Sequence, residues 1–232
     1  GAGAVLSVAC GSAYWWHAGR AAEPVVERRH IVGFPGSGIH AVVAITMVAG
    51  LSLDPYLPIF VQVTHGWDEA AAAFTLAFLA VGWTAGSVVY SRWFADAAEA
   101  AVMRSGTAFL VAGCAVVGVT IAVGAPLVTV FAGYLVVGFG IGTVATPSLT
   151  WLQQASVPAE MGRAMSAHQF IRQLAITFGV AAGGAVLLLV VARQVDDVDA
   201  VRDALAGEDV RLDADAGAAL ADGLATVAAV ST

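Results

Sequence analysis

Asp54 is the residue whose type and setting most need a chemical explanation. It is the sole charge between about Ile39 and Val63. A carboxylate in such an apolar run costs roughly 2.5–3.5 kcal/mol on membrane-insertion scales unless it is paired, protonated or wetted. Gly50 and Pro55 flank it, and Pro58 follows one turn on. These residues break or kink a helix and free backbone groups, which lipid tolerates only beside protein or water. Asp54 is therefore suited either to exchanging a proton or facing a solute, or to capping a kink near an interface. Arg172 is the second such residue, with His168 at i−4 and Gln169 at i−3 on the same helical face. Arginine keeps its charge, so it must pair, snorkel or face water. It reads either as a gate or cavity cation or as a snorkelling side chain on loop carbonyls or lipid phosphate. His168 by itself reads as structural. Nothing in the sequence places Asp54 and His168 together as an acid/base pair.

Amides and aromatics supply the remaining candidates. Gln62, Gln153 and Gln154 fall near the ends of apolar runs, with Trp83, Trp151 and Tyr134 among the runs. Such side chains either hold amphipathic molecules in a cavity or anchor a helix at the membrane interface. Trp151 fits an anchor, whereas Trp83, in mid-run, leans toward a cavity. No P-loop, HExxH, GxSxG or paired Cys/His set is present. Cys10 and Cys114 lack CxxC spacing and read as small buried residues. The expectation is no enzyme, no catalytic residue, no metal and no cofactor.

Positioning these groups requires elements that belong in lipid. The 232 residues are 59% hydrophobic and 12% charged, with mean hydropathy +0.83, and soluble domains carry about 25% charged residues. A soluble domain of this size cannot hide so much apolar surface in one core, whereas a bilayer is the solvent for it. The net charge of −7 is local, since eight of the 17 acids lie between Asp196 and Asp215. The rest is nearly balanced, so nucleic acid is excluded as a partner. All ten basic residues are arginine.

Uncharged windows set the organisation, given about 20 residues per span. Residues 1–18, ending in Tyr14-Trp15-Trp16-His17, read as the end of a truncated transmembrane helix. Residues 19–37 form a cytoplasmic link. A five-helix bundle over 38–192 is expected at about 38–63, 70–92, 104–124, 127–153 and 164–192, with Gly124-Ala125-Pro126 splitting the longest uncharged window. Residues 193–218 read as an acidic extracytoplasmic loop, in which Val195, Val198, Val201 and Leu205 recur at helical spacing. Residues 219–232 read as the start of a truncated helix. Arginines 20, 28, 29, 92, 104 and 163 then fall on inner segments, while the outer links at 64–69 and Gly124 hold none, as the positive-inside rule asks. Gly138, Gly140 and Gly142, with Gly133 before and Pro147 after, thin the fourth span, and Gly179 and Gly183 form a GxxxG in the fifth. Small residues let helices approach closely in lipid.

Several segments together resemble a known family. YLPIFVQVTHGW is similar to the PLYLQ-type segment of the fourteen-span drug:proton antiporter (EmrB/QacA-like) family of the major facilitator superfamily. The run GYLVVGFGIGTVATPSLTWLQQASVPAEMGRAMSAHQFIRQLAITFGVAAGGAVL resembles that family's G-x-G-x-G…P span, VP…G-x-A loop and QF-x-RQL helix. AAEPVVERR resembles its inner link. Within QF-x-RQL the matching positions are Gln169, Phe170, Arg172, Gln173 and Leu174. The link GSVVYSRWFADAAEAAVMRSG departs from the family's G-x-x-x-D-R-x-G-R-like pattern, keeping only Gly86, Arg92, Asp96 and Arg104, and Ala175 stands where the family usually has Gly.

The resemblance implies an all-α membrane protein, the C-terminal half of a major facilitator bundle. It implies a multi-pass plasma-membrane exporter of drugs or small amphipathic metabolites, with the bilayer, a small molecule, protons and a missing N-terminal half as partners. Candidate proton or substrate residues are Asp54, Arg172, His168, Gln169, Gln62 and Trp83. A non-transporting membrane scaffold and an uptake symporter are the alternatives.

Overall fold

The computed structural model describes residues 9, 11–14, 16–17, 19–20, 31, 37–195 and 214–232. Cys10, most of the link over 19–37 and the amphipathic pattern through Val198, Val201 and Leu205 lie outside the described residues. Helix dominates, and no strand occurs among the described residues. In chain order the helices are α1 (Ser37–Leu51), α2 (Tyr56–His65), α3 (Glu69–Val89), α4 (Glu99–Ala122), α5 (Leu127–Ala155), α6 (Met161–Val191) and α7 (Ala214–Val230). Five helical segments among the described residues are long and apolar enough to cross a membrane: Ser37–His65, Glu69–Phe94, Glu99–Ala122, Leu127–Ala155 and Pro158–Val191. Ile45, Phe74, Val81, Phe178 and Leu189 are all exposed. Water would penalise that surface, and lipid does not.

Local chemistry explains where the segments stop. Asp68 caps α3 by accepting the Ala71 N–H at 2.8 Å. Gly66 ends α2 at φ 65°, and Gly124 closes the α4–α5 turn at φ 63°; only glycine enters that region without strain. Pro126 precedes the first residue of α5, and Pro158 opens a short 3₁₀ turn before α6. After α3 the chain widens into a π-helical turn, Tyr90–Phe94, a feature without a composition signal. α6 begins at Met161 and α7 at Ala214, so both start ahead of the boundaries drawn from charge alone.

The fourth span is the hub. α5 packs along both α3 and α4, α6 packs against α1, and α7 fills between α6 and α4. Glycine makes the contacts on α5 close. A Cβ on Gly138 or Gly142 would collide with the α3 carbonyls of Leu79 and Trp83, and one on Gly82 or Gly86 of α3 with the α5 carbonyls of Leu135 and Phe139. Gly140 faces α4, where a Cβ would stand 2.5 Å from the Leu110 nitrogen. On the opposite side, Gly179 of α6 lies against Val48 of α1, and Gly183 against the Ser52 carbonyl. These approaches gain dispersion contact between backbones, which in lipid replaces the missing hydrophobic drive.

Candidate functional site

The first span is broken where Asp54 sits. α1 stops at Leu51 and α2 starts at Tyr56, because Pro55 and Pro58 have no N–H to continue the ladder. Side chains take up the loose ends. Ser52 Oγ donates to the Ala49 carbonyl at 3.0 Å and lies 3.0 Å from the Oγ of Ser231, the residue after α7. The Tyr56 hydroxyl crosses to the Val180 carbonyl of α6 at 2.9 Å. Asp54 itself is half-buried and accepts a hydrogen bond from the Tyr134 hydroxyl of α5 at 2.8 Å. Tyr134 is fully buried, so its O–H has this carboxylate in place of water. Hydrogen bonds to an ionised acceptor are about twice as strong as neutral ones.

A second set of polar groups lies toward the other end of the bundle. Arg172 of α6 places its guanidinium over the indole of Trp83 in α3, 5.1 Å from the ring centroid, within cation–π range. Trp83 lies eleven residues before Phe94, where the π turn after α3 ends, and Arg172 eleven residues after Met161, where α6 begins, each roughly 16 Å along the axis. Arg172 Nη1 donates to Gln169 Oε1 at 3.5 Å, and its Nε is buried without a partner. His168 is buried and does not meet Asp54. Its Nδ1 lies 3.2 Å from Nδ1 of His40, a buried residue of α1, so one of the two nitrogens carries the proton. His40 and Asp54 are fourteen residues apart on one span, roughly 20 Å along its axis.

Arg172, Gln169 and Trp83 are thus brought together, whereas Asp54 and His168 occupy different levels. Gln62 lies two turns beyond Asp54, and no side-chain hydrogen bond joins it to Asp54 or Tyr134. Sequence reasoning missed the two partners, Tyr134 and His40. An acid and a lone histidine in apolar runs each signal that a partner exists, but its position is set by packing. Among the described residues no group of three or more His, Cys, Asp or Glu side chains could hold a metal ion.

The pattern of the Major Facilitator Superfamily matches residues 3–180. Two proteins named as probable multidrug-efflux transporters, from two strains of Mycobacterium tuberculosis, are each 32% identical to the chain over 161 residues, covering 66% of it and 34% of their own length. The chain thus spans about a third of the length of the curated relatives it matches. No solved structure matches. The described residues form an all-helical bundle with five potential spans, and the family pattern covers most of the chain's length. The chain belongs to the major facilitator superfamily and is a multi-pass protein of the cell membrane.

Proposed function

We propose that the chain is the C-terminal half of a proton-coupled exporter of drugs or small amphipathic metabolites, of the fourteen-span antiporter type. The observation that carries this reading is Asp54, held by Tyr134 at a helix break inside an apolar span. A carboxylate there is costly unless it is paired, protonated or wetted, and for that reason intramembrane acids are usually functional. The break surrounds it with backbone that lipid alone would not tolerate. Its setting suits a group that exchanges a proton as the two halves rock about a midplane site. Export as the direction is supported by the efflux named for the two mycobacterial relatives.

In this reading the ends bearing Arg92, Arg104 and Arg163 face the cytoplasm, following the positive-inside rule. Asp54 then lies in the outer half of the membrane, with Arg172 and Trp83 in the inner half. The N-terminal half completes the cavity, and the bundle here does not transport alone. The test uses the intact gene, expressed in cells loaded with a fluorescent amphipathic dye. The reading expects dye extrusion that an uncoupler stops. Accumulation of the dye, sensitive to the same uncoupler, would replace export by uptake.

A further inference from the structure

Trp83 touches Arg172 on its ring and also lines an open groove. A guanidinium carries five N–H groups. Arg172 uses one of them, in the 3.5 Å bond to Gln169, and its Nε is buried and unpartnered. No carboxylate meets it among the described residues. The indole that it covers also walls an open groove of about 390 Å³, lined further by Thr84, Ser87, Val88, Ser91 and Arg92. Ser87 Oγ already accepts from Thr146 Oγ1 at 2.9 Å, which leaves its own O–H to donate outward. Arg92 adds a second guanidinium at the exposed end. Of the other hydroxyls lining the groove, Thr84 and Ser91 donate to the Ala80 and Ser87 carbonyls, so its free donors are Ser87 and Arg92, with Arg172 reached past the indole of Trp83. Its volume falls in the usual range for small-molecule sites.

We propose that Trp83, Arg172 and the adjoining groove bind a planar organic anion. The ring of the ligand lies against the indole, and its carboxylate or sulfonate takes the unused donors of Arg172. A guanidinium suits that role, because its fork matches a planar oxyanion and its charge cannot be lost. A cation of the same shape would face two like charges. Calling this ligand an exported substrate rests on the function proposed above; the binding itself does not. An anionic phospholipid headgroup has the same chemistry, so the test must separate the two.

The chain is placed in phosphatidylcholine nanodiscs and titrated with pyrenesulfonate and with a trimethylammonium pyrene of the same ring system. The anion should bind at least about tenfold more tightly, a difference of about 1.4 kcal/mol. Arg172→Gln should erase that preference, and Arg172→Lys, which keeps the charge without the fork, should retain part of it. Trp83→Phe should bind better than Trp83→Ala. Circular dichroism establishes that each variant is folded. Equal affinity for the two pyrenes, or an unchanged preference in folded Arg172→Gln, would overturn the proposal. So would loss of pyrenesulfonate binding when phosphatidylglycerol replaces part of the lipid, since the site would then belong to a headgroup. Absence of uncoupler-sensitive extrusion by the intact protein would end the exporter reading and leave this binding result standing.

Discussion

Gly140→Ala tests whether the bundle is held by backbone approach at α5. The added Cβ would lie 2.5 Å from the Leu110 nitrogen and 2.7 Å from the Gly106 carbonyl oxygen. Ordinary contact begins at about 3.4 Å, so α4 and α5 must part by somewhat under an ångström, and neither obstacle is a side chain that can swing aside. Overpacking of this kind costs about 1–3 kcal/mol. At about 2–4 °C per kcal/mol for a chain of this size, melting in detergent should fall by roughly 2–12 °C. Gly162→Ala is the control. Nothing lies within 4 Å of a Cβ there, and it sits in the first turn of α6. Alanine is the better helix former by up to about 1 kcal/mol, so this variant should melt at the same temperature or slightly higher. Equal melting of both variants would refute the close packing of α4 on α5.

Other consequences follow from single contacts. Tyr134→Phe removes the donor to Asp54, a bond to a charged group worth about 1.5–3 kcal/mol; uncoupler-sensitive extrusion by the intact protein should drop about tenfold or more, and wild-type extrusion would contradict the pairing. His40→Ala leaves His168 Nδ1 buried without its partner at 3.2 Å, which should lower stability by about 1–3 kcal/mol, read as an earlier thermal transition. Cys114 is only 1% exposed, so in a Cys10→Ser background a maleimide should react slowly with the folded chain and quickly after denaturation. Fast labelling of the folded form would place that face of α4 at the surface.

How much of this was legible in the sequence differs from residue to residue. The spans are visible because charge is expensive in lipid, so uncharged windows bounded by arginine outline them. Asp54, Pro55 and Pro58 announce a broken helix, since the backbone cost of proline is local. That the Asp54 carboxylate meets Tyr134, eighty residues away, depends on how α2 and α5 are juxtaposed, and no local pattern encodes it. Gly138, Gly140 and Gly142 show that α5 is thin on more than one face. Their mates Gly82 and Gly86 on α3 and Gly106 on α4 emerge only from the packing, because one glycine in a helix reads the same whether it meets a neighbour or lipid. Trp83 and Arg172 suggest a cavity separately, but only the matching of their depths on antiparallel helices joins them. The π turn at Tyr90–Phe94 has no composition signal at all.

The central claim is that Asp54 carries the coupling proton. The direct measurement reconstitutes the intact protein in liposomes holding a pH-sensitive dye and follows proton movement when substrate is added, for the wild type and Asp54→Asn. Asparagine keeps an acceptor for Tyr134 but cannot exchange a proton. The account predicts substrate-driven proton flux in the wild type and none in Asp54→Asn, with substrate binding retained. Proton flux at the wild-type rate in Asp54→Asn would contradict it.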